Sequence, residues 1–343
     1  MKLKSWMILG IGSLIILGSI IGFLIYHGAF MPNVNPEKKS YELYIQKDFT
    51  VDQIIDSLNT NNVLIHSGNI KLIFNFLNYN DKAIKEGRYV IKPGMNNYKI
   101  VTKLRSGDQD AVKITINNVR DISQLCGKIS KYLLLDSLTL LDKFTDSTFL
   151  TETGFTKENI MTLFIPNTYE MYWNTSIDKL ISRIQTEHKK FWKQNERFEK
   201  ARQLNLNEAQ AYTLASIVEK ESNYEPERPT IAGVYLNRLK LNMKLQADPT
   251  VVFALGVTGL QRVLLAHLTR ESTYNTYMVE GLPPGPIYMP TINSIEAVLN
   301  AEQHDYIFFC AKEGSEGTHS FASTLKQHSE NARKYQKWLN SLK

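Results

Sequence analysis

Two glutamates near the end of one predicted helix are the residues whose type and spacing could do chemistry. The helix follows Asn207, a typical N-cap residue, and its apolar residues recur at helical spacing to form one stripe. Glu219 lies just beyond one edge of this stripe, and Glu221 falls inside it towards the other edge. A carboxyl group half-buried in this way has its charged form desolvated. Its pKa therefore rises towards the range that a general acid needs near neutral pH.

The helix alone leaves a structural interpretation open for both glutamates. A glutamate at the edge of an apolar helix face is more often a solvated flank than a catalytic group. Glu221 lies nearer the stripe, so a structural role would require a partner such as Arg228 or Arg238.

Two polar, proline-containing segments follow the helix and predict a binding wall. Residues 274–277 read YNTY, and residues 281–287 read GLPPGPI. Loops of this length and polarity need a reason to be ordered, and a ligand would supply one. A proline-stiffened surface loop that binds nothing is the alternative.

Composition and residue spacing exclude several classes of function. The 343 residues are 43% hydrophobic and 22% charged, which is typical of a globular protein. The net charge is +6, but the basic residues are scattered, so we expect no nucleic-acid groove. Cys126 and Cys310 form no CxxC pair and the histidines show no HExxH spacing, so we predict neither a metal site nor a cofactor. Whether the two cysteines pair stays open.

Residues 5–26 predict a single membrane-spanning helix. These 22 residues carry no charge, and 12 of them are Ile, Leu or Phe. At about 1.5 Å per residue they span roughly 33 Å, enough for a hydrocarbon core of about 30 Å. A cleaved signal peptide is the alternative, but the apolar stretch is long for one and residues 27–30 make a poor cleavage site. Lys2 and Lys4 favour a cytoplasmic tail at residues 1–4, with the remainder of the chain outside.

The rest of the chain divides into a linker and three regions, and the pattern predicts an α+β fold. Residues 27–39 contain two prolines and read as a linker. Residues 40–108 contain strand patterns at 41–45 and 87–91 with helices between and after them, which resembles a small LysM-like module. A spacer that binds no sugar is the alternative. Residues 109–203 form a mostly helical middle region, and residues 204–343 form the last domain.

Five sequence blocks in the last domain resemble one known family. They are ASIVEKES at 215–222, IAGVYLNRL at 231–239, LQADPTV at 245–251, YNTY with GLPPGPI, and GTHSFASTLKQHSEN at 317–331. Together they resemble the YceG-like endolytic murein transglycosylases, and they cover residues 211–335 densely. The anchor and the LysM-like region agree with that family in order and size.

The resemblance implies a single-pass enzyme of the bacterial inner membrane, with its catalytic domain outside the cytoplasm. Such an enzyme cuts peptidoglycan glycan strands internally between N-acetylmuramic acid and N-acetylglucosamine. It leaves 1,6-anhydro ends and limits strand length. The resemblance also implies cell-wall synthases or division proteins as partners.

The resemblance implies Glu219, the first acid of the EKE sequence, as the catalytic residue. It places the following residues at the sugar cleft: Gln246, Asp248, Tyr274, Asn275 and Thr276. Glu221 is a further candidate substrate-binding residue, for which a structural role is the alternative.

Two alternatives to this function remain, and the chain departs from the family pattern in places. Glu219 with Asp248 or Glu221 as base could make a hydrolytic muramidase, since hydrolases use two carboxylates. A membrane-tethered scaffold that binds peptidoglycan without cutting it is the second alternative. Ile165, Asn167 and residues 289–291 differ from the usual family residues, which affects packing and loop shape more than the EKE helix.

Overall fold

The chain folds into two compact units of mixed α and β structure. The computed structural model describes residues 2–37, 39–257, 260, 262–315 and 317–342, with side chains from residue 10 onwards. One unit comprises Met1–Val112 and Glu170–Thr175, and the other comprises Lys113–Tyr169 and Ser176–Lys343. Helices predominate, and the sheets among the described residues each have two strands. The predicted α+β class is confirmed.

The first unit begins with a long apolar helix, α1 (Lys2–Phe30). Its segment Gly10–Phe30 is long and apolar enough to cross a membrane, with a mean hydropathy of 1.9. The helix extends beyond the predicted residues 5–26 at both ends, because no helix-breaking residue precedes Pro32. A single N-terminal apolar helix of this kind is consistent with the predicted membrane anchor.

The remainder of the first unit is a small sheet with three helices packed against it. Its elements are β1 (Tyr41–Ile45), α2 (Val51–Thr60), α3 (Ile70–Phe76), β2 (Gly87–Ile91) and α4 (Asn97–Ser106). The two strands are antiparallel, with Tyr41 opposite Ile91. Thr50 caps α2 by accepting a hydrogen bond from the Gln53 backbone, and Gly107 ends α4 at a left-handed φ of 74°.

The segment expected to be a linker is packed into this unit. Val34 is 2% exposed and forms a β-bridge with Leu64, while Pro32 forms a bridge with Asn96. The two prolines and the polar composition predicted an exposed linker over residues 27–39. The buried side chain of Asn33 gives the physical reason for the difference. Its Oδ1 accepts a hydrogen bond from the His66 backbone, a group that a free linker would leave to water.

The middle of the chain contains one sheet and a series of short helices. Its elements are β3 (Val112–Ile116), α5 (Ile122–Ile129), α6 (Ser137–Thr145), α7 (Ser147–Thr153), β4 (Asn167–Met171), α8 (Ile177–Lys193) and α9 (Arg197–Gln203). β3 and β4 pair with each other. Aspartates begin three of the helices by accepting backbone hydrogen bonds: Asp121, Asp136 and Asp146.

The last part of the chain carries the candidate site. Its elements are α10 (Glu208–Glu221), α11 (Arg228–Lys240), α12 (Asp248–Leu255), α13 (Leu265–Leu268), α14 (Ile292–Leu299), β5 (Phe308–Ala311), β6 (His319–Ala322) and α15 (Leu325–Ser341). β5 and β6 form an antiparallel hairpin. α10 packs against α11, α12 and α14, which makes it the central helix of this region.

The central position of α10 determines which of its residues can meet a substrate. The sequence predicted one apolar stripe, but all eight residues from Ala211 to Val218 are buried. Two of the polar side chains among them have backbone partners: Tyr212 donates to the Phe164 carbonyl at 3.0 Å, and Ser216 donates to the Thr213 carbonyl at 2.6 Å. The helix leaves the core at its two ends, and the last turn carries Glu219 and Glu221.

Candidate active site

Glu221 combines a desolvated carboxyl group with a single side-chain donor. The Tyr235 hydroxyl donates to Glu221 Oε1 at 2.6 Å. Burial raises the pKa of Glu221 to about 7, and the negative charge of Asp248 also raises it, while the Tyr235 hydrogen bond and Arg238 lower it. The residue keeps partial solvent access at the end of α10. A carboxyl group of this kind holds a proton near neutral pH and can give it to a bound ligand.

The partner of Glu221 differs from the one expected. The sequence predicted Arg228 or Arg238, but Arg238 donates to the backbone carbonyls of Leu245 and Ile307 at 2.6 and 2.7 Å. Arg228 donates to the Ser222 carbonyl at 3.2 Å. Both arginines therefore hold the protein together, and neither forms an ion pair with Glu221, which leaves that carboxyl group free to remain protonated.

Asp248 and Tyr277 form a second polar pair that acts on the same carboxyl group. The Tyr277 hydroxyl donates to Asp248 Oδ1 at 2.6 Å. Asp248 is exposed at the first turn of α12, and Tyr277 is partly exposed. Burial and the Asp248 carboxylate raise the pKa of Tyr277 well above its usual value, so it remains a donor. Because the Asp248 charge raises the pKa of Glu221, the Glu221 carboxyl group lies near this pair, and the three side chains form one acidic, aromatic cluster at the candidate cleft.

Glu219 lies in very different surroundings, although it is only two residues away. Its Oε2 accepts three hydrogen bonds: from the Thr291 backbone at 2.6 Å, from the Thr291 hydroxyl at 2.7 Å and from the Ser294 hydroxyl at 2.7 Å. Thr291 is the N-cap of α14, so Glu219 ties the end of α10 to the start of α14.

Arg228 extends the Glu219 cluster into the core. Its Nη1 donates to the Ser294 hydroxyl at 3.1 Å, and both residues are buried. The cluster therefore runs from a buried guanidinium through a hydroxyl to a fixed carboxylate. Such fully satisfied polar networks make a structure rigid at the place where they occur.

Gln246 and Tyr274 are further predicted cleft residues that keep access to solvent, as Asp248 and Glu221 do. Gln246 is exposed and has a φ of 51°, a left-handed conformation that is uncommon for a residue with a side chain. Its backbone donates to the Thr276 carbonyl at 3.1 Å, which joins the two loops. Tyr274 is partly exposed and stacks obliquely on Phe253, with ring centroids 4.7 Å apart.

Asn275 and Thr276 are fully buried, in contrast to the expectation that they face the sugar cleft. Asn275 Nδ2 donates to the carbonyls of Leu268 and Arg270 at 2.9 and 2.7 Å. Thr276 Oγ1 accepts from the Ala247 backbone at 3.0 Å. Their polar atoms are engaged within the protein, so these two side chains fix the loop that carries Tyr277.

Four functional neighbours were missed by sequence reasoning: Tyr235, Tyr277, Thr291 and Ser294. Tyr277 lies in the YNTY segment, so its position beside other polar residues was a usable signal. The other three gave none, because they approach the glutamates from 14 to 75 residues away along the chain.

The carboxyl chemistry, and not cavity size, identifies this site. A cavity of about 1200 Å³ opens beside the first half of α10, where Gln210 and Thr213 line it. Its lining residues include neither glutamate of the last turn nor Asp248. The described residues contain no cluster of His, Cys, Asp or Glu side chains that could hold a metal ion. Cys126 and Cys310 are unpaired.

Comparison with known proteins assigns this chain to a family. The sequence model of the YceG-like family matches residues 43–334. The chain belongs to the YceG-like family. A Bacillus subtilis relative (strain 168) named endolytic murein transglycosylase is 30% identical over 336 residues, covering 91% of each chain.

Other members of the YceG-like family support this assignment. An endolytic murein transglycosylase of Streptococcus pneumoniae (serotype 2, strain D39) is 26% identical over 351 residues. That match covers 92% of this chain but 62% of the longer relative. A crystal structure from Listeria monocytogenes, described as YceG-like, has a TM-score of 0.56 and 26% identity and covers 86% of this chain and 99% of its own.

Proposed function

We propose that this protein is a membrane-anchored lytic transglycosylase that cuts peptidoglycan glycan strands internally. The names of its YceG-like relatives in Bacillus and Streptococcus support the substrate and the reaction class. The observation that carries the proposal is the Glu221 carboxyl group, whose pKa is raised to about 7 beside a cleft with Asp248 and Tyr277. Two carboxyl groups together with exposed aromatic and amide side chains can bind and cut a polysaccharide, and this chemistry requires no metal or cofactor.

Glu221 is the general acid in this proposal, and Glu219 is a positioning residue. The family resemblance instead implied Glu219 as the catalytic residue. Glu219 engages three donors through Oε2, which fixes its carboxyl group against the start of α14. Glu221 has one donor and a carboxyl group that burial keeps protonated near neutral pH, as a general acid requires.

The reaction then needs one carboxyl group in two steps. Glu221 gives its proton to the oxygen that links N-acetylmuramic acid to N-acetylglucosamine, and the bond from that oxygen to the muramoyl anomeric carbon breaks. The ionised Glu221 next takes the proton of the muramoyl C6 hydroxyl as that oxygen attacks the anomeric carbon. The proton returns to Glu221, no water is consumed, and the product carries a 1,6-anhydro ring. Because the attacking group belongs to the substrate, its effective concentration is high.

The surrounding residues have supporting roles. Tyr235 holds Glu221 in place, and the negative charge of Asp248 favours both the protonated acid and the cation that develops on the sugar. Gln246 and Tyr274 contact the glycan, while Asn275 and Thr276 shape the loop from behind.

The anchor and the first unit complete the proposal. The apolar segment Gly10–Phe30 spans the cytoplasmic membrane with the N-terminus inside, as Lys2 and Lys4 favour. We retain the sequence-based division into a LysM-like module at 40–108, a middle region at 109–203 and a catalytic domain at 204–343. Glycan binding by the LysM-like module and contacts with cell-wall synthases or division proteins belong to the same proposal.

The products distinguish this function from its rivals. Full-length wild type and Glu221→Gln are incubated with uncrosslinked glycan strands, and the ends are identified by mass spectrometry. We expect anhydro-muramoyl ends with wild type only. Reducing ends, heavier by one water, would instead support a hydrolase that uses Asp248 as a second carboxylate. Intact strands that sediment with the protein would support a binding scaffold.

A further inference from the structure

The last turn of α1 is part of the hydrophobic core of the first unit. Ala29 is 4% exposed and packs in the same core cluster as Val34 and Ile70. A Cβ added at Gly28 would lie 3.2 Å from the side chain of Asn69, so the helix end fits closely against the start of α3. The apolar helix therefore ends inside the folded unit, with no free chain between them.

A buried amide network fastens this junction. Asn33 Nδ2 donates to Asn97 Oδ1 and to the His66 carbonyl, both at 2.8 Å. Asn97 Nδ2 donates to the Gly28 carbonyl at 2.8 Å, and the His66 backbone donates to Asn33 Oδ1 at 2.8 Å. Asn33 and Asn97 are 4% and 1% exposed. Because these amide groups have their partners, the network favours one fixed arrangement.

The start of α4 adds a second set of contacts to the helix end. Asn96 Nδ2 donates to the Phe30 carbonyl at 3.0 Å. The rings of Phe30 and Tyr98 lie 5.1 Å apart at an interplanar angle of 36°. The loop that ends at Asn69 and the first turn of α4 thus both lie beside the last turn of α1.

The length of the apolar segment places this junction at the edge of a bilayer. The 22 uncharged residues 5–26 span roughly 33 Å at about 1.5 Å per residue, close to a hydrocarbon thickness of about 30 Å, and Phe30 follows about one helical turn later. Side chains next to Phe30 must then lie at the level of the lipid headgroups. Large apolar side chains are exposed there: Phe30 45%, Met31 44% and Ile65 48%, with Leu72 63% exposed on α3 beside α1.

We propose that this surface, formed by Phe30, Met31, Ile65, Leu72 and Tyr98, rests on the lipid bilayer and holds the first unit against the membrane. We call it the membrane-facing surface. The occupant is the headgroup region of the same bilayer that α1 spans, because the surface is continuous with that helix. Aromatic and apolar side chains are favoured at this depth. The inference rests on the proposed membrane anchor.

Site-specific labels in the full-length protein test the proposal. Cys310 is replaced by serine, while Cys126 stays, because its burial keeps the thiol away from reagents. Single cysteines at Ile65, Leu72, Leu24 and Lys47 then carry a polarity-sensitive fluorophore. Lys47 is the matched exposed control. Lys47 lies just beyond Ile45, at the end of the sheet where Ile45 pairs with Gly87. The opposite end, at Ile91, leads to the turn that is hydrogen-bonded to Val34, so Lys47 lies at the end of the sheet away from that turn.

The labelled proteins are reconstituted in vesicles of phosphatidylethanolamine and phosphatidylglycerol. We expect nitroxide quenchers attached to lipids near the headgroup to quench the labels at Ile65 and Leu72 several-fold more than the label at Lys47. The double substitution Asn33→Ala with Asn97→Ala should remove most of this difference by loosening the junction, while circular dichroism confirms that the unit remains folded.

The outcomes separate the surface from the anchor. Quenching at Leu24 together with water-like labels at Ile65 and Leu72 would overturn the proposed surface and leave the anchor intact. A water-like label at Leu24 would overturn the anchor itself, and the surface with it. Labels at Ile65 and Leu72 that are shielded from water but not reached by lipid quenchers would mean that protein covers the surface, which also overturns the proposal.

Discussion

The last turn of α10 carries two carboxyl groups, Glu219 and Glu221, whose surroundings differ strongly. Around Glu219 the protein gathers donors, with three hydrogen bonds to one oxygen from Thr291 and Ser294. Around Glu221 it removes water and supplies one donor, Tyr235, so that its pKa rises to about 7. In the proposed function, the same side chain two residues apart is therefore a fixed acceptor in one place and a proton donor in the other.

The difference shows that long-range packing, and not position on the helix, assigns these roles. Both glutamates lie at the rim of the same buried helix, and both looked suitable by spacing alone. Thr291 and Ser294 reach Glu219 from α14, whereas Tyr235 reaches Glu221 from α11. An isolated glutamate has an unshifted pKa near 4.3, so the elements around each carboxyl group must provide the distinction.

The largest expected effect is on catalysis. Glu221→Gln should lower kcat by about 10²–10⁴-fold, the contribution typical of a general acid. Glu219→Gln should cost about tenfold, because it only displaces neighbouring groups. The rate of anhydro-end formation by the full-length proteins measures both.

The control for this pair is a third glutamate on the same helix. Glu208→Gln changes the first turn of α10, far from the cleft, and should leave the rate within about twofold. If Glu219→Gln lowered the rate as much as Glu221→Gln does, the two carboxyl groups would act as one unit, which would contradict their separate roles.

Stability should change in opposite directions for the two glutamates. The folded-state pKa of Glu221 is raised to about 7, so ionising it opposes folding. Between the unfolded pKa and about 7 stability falls as the pH rises, and above that range the loss is complete. Glu221→Gln should therefore stabilise the protein at alkaline pH, by on the order of 1–3 kcal/mol.

Glu219→Gln should destabilise the protein under the same conditions. An amide can accept only some of the hydrogen bonds that the carboxylate accepts. Thr291 and Ser294 would therefore lose part of their hydrogen bonding, which should lower the free energy of unfolding by about 1–2 kcal/mol. Thermal unfolding of the full-length variants in detergent measures both changes. Stabilisation by Glu219→Gln would contradict the positioning role.

The pH dependence should respond to the neighbours of Glu221. Activity should fall above about pH 7 as the acid ionises. Asp248→Asn removes a charge that raises the pKa, so the fall should move to lower pH. Tyr235→Phe removes a donor that lowers it, so the fall should move to higher pH, with midpoints roughly 1 pH unit apart between the two variants. Profiles of kcat against pH that shift together would refute the assignment.

The smallest effect is expected for a single donor of the Glu219 cluster. Ser294→Ala removes one of three hydrogen bonds to Glu219 Oε2 and should lower the rate by about two- to fivefold, through about 0.5–1 kcal/mol of lost positioning. The midpoint of the pH profile should stay unchanged, since Ser294 does not contact Glu221. A shift of the pH midpoint in Ser294→Ala would mean that a donor to Glu219 also affects the ionisation of Glu221, which would contradict the separate roles of the two carboxyl groups.

Local signals in the sequence predicted much of the fold. Asn207 begins α10 and Thr50 begins α2, as expected of N-cap residues, and the apolar helix at the N-terminus was visible from composition. The burial of Asn33 and Val34 was missed, because the burial of Asn33 depends on Asn97, 64 residues away.

The candidate site was predicted in outline only. The EKE sequence and the YNTY segment contain Glu221 and Tyr277, which the structure brings near Asp248. The burial of Asn275 and Thr276 could not be read from their polar side chains, which satisfy backbone groups of the loop. The partner of Glu221 was also missed, because Tyr235 reads as an apolar position of α11.

Titration of the glutamate carboxyl groups tests the central claim most directly, since it needs no substrate. The full-length protein, labelled with carbon-13 at the glutamate side-chain carboxyls, is followed by NMR as the pH is raised. We predict one signal with a midpoint near pH 7 that is absent from Glu221→Gln and present in Glu219→Gln. If that signal disappears from Glu219→Gln and persists in Glu221→Gln, the roles assigned to the two glutamates are reversed.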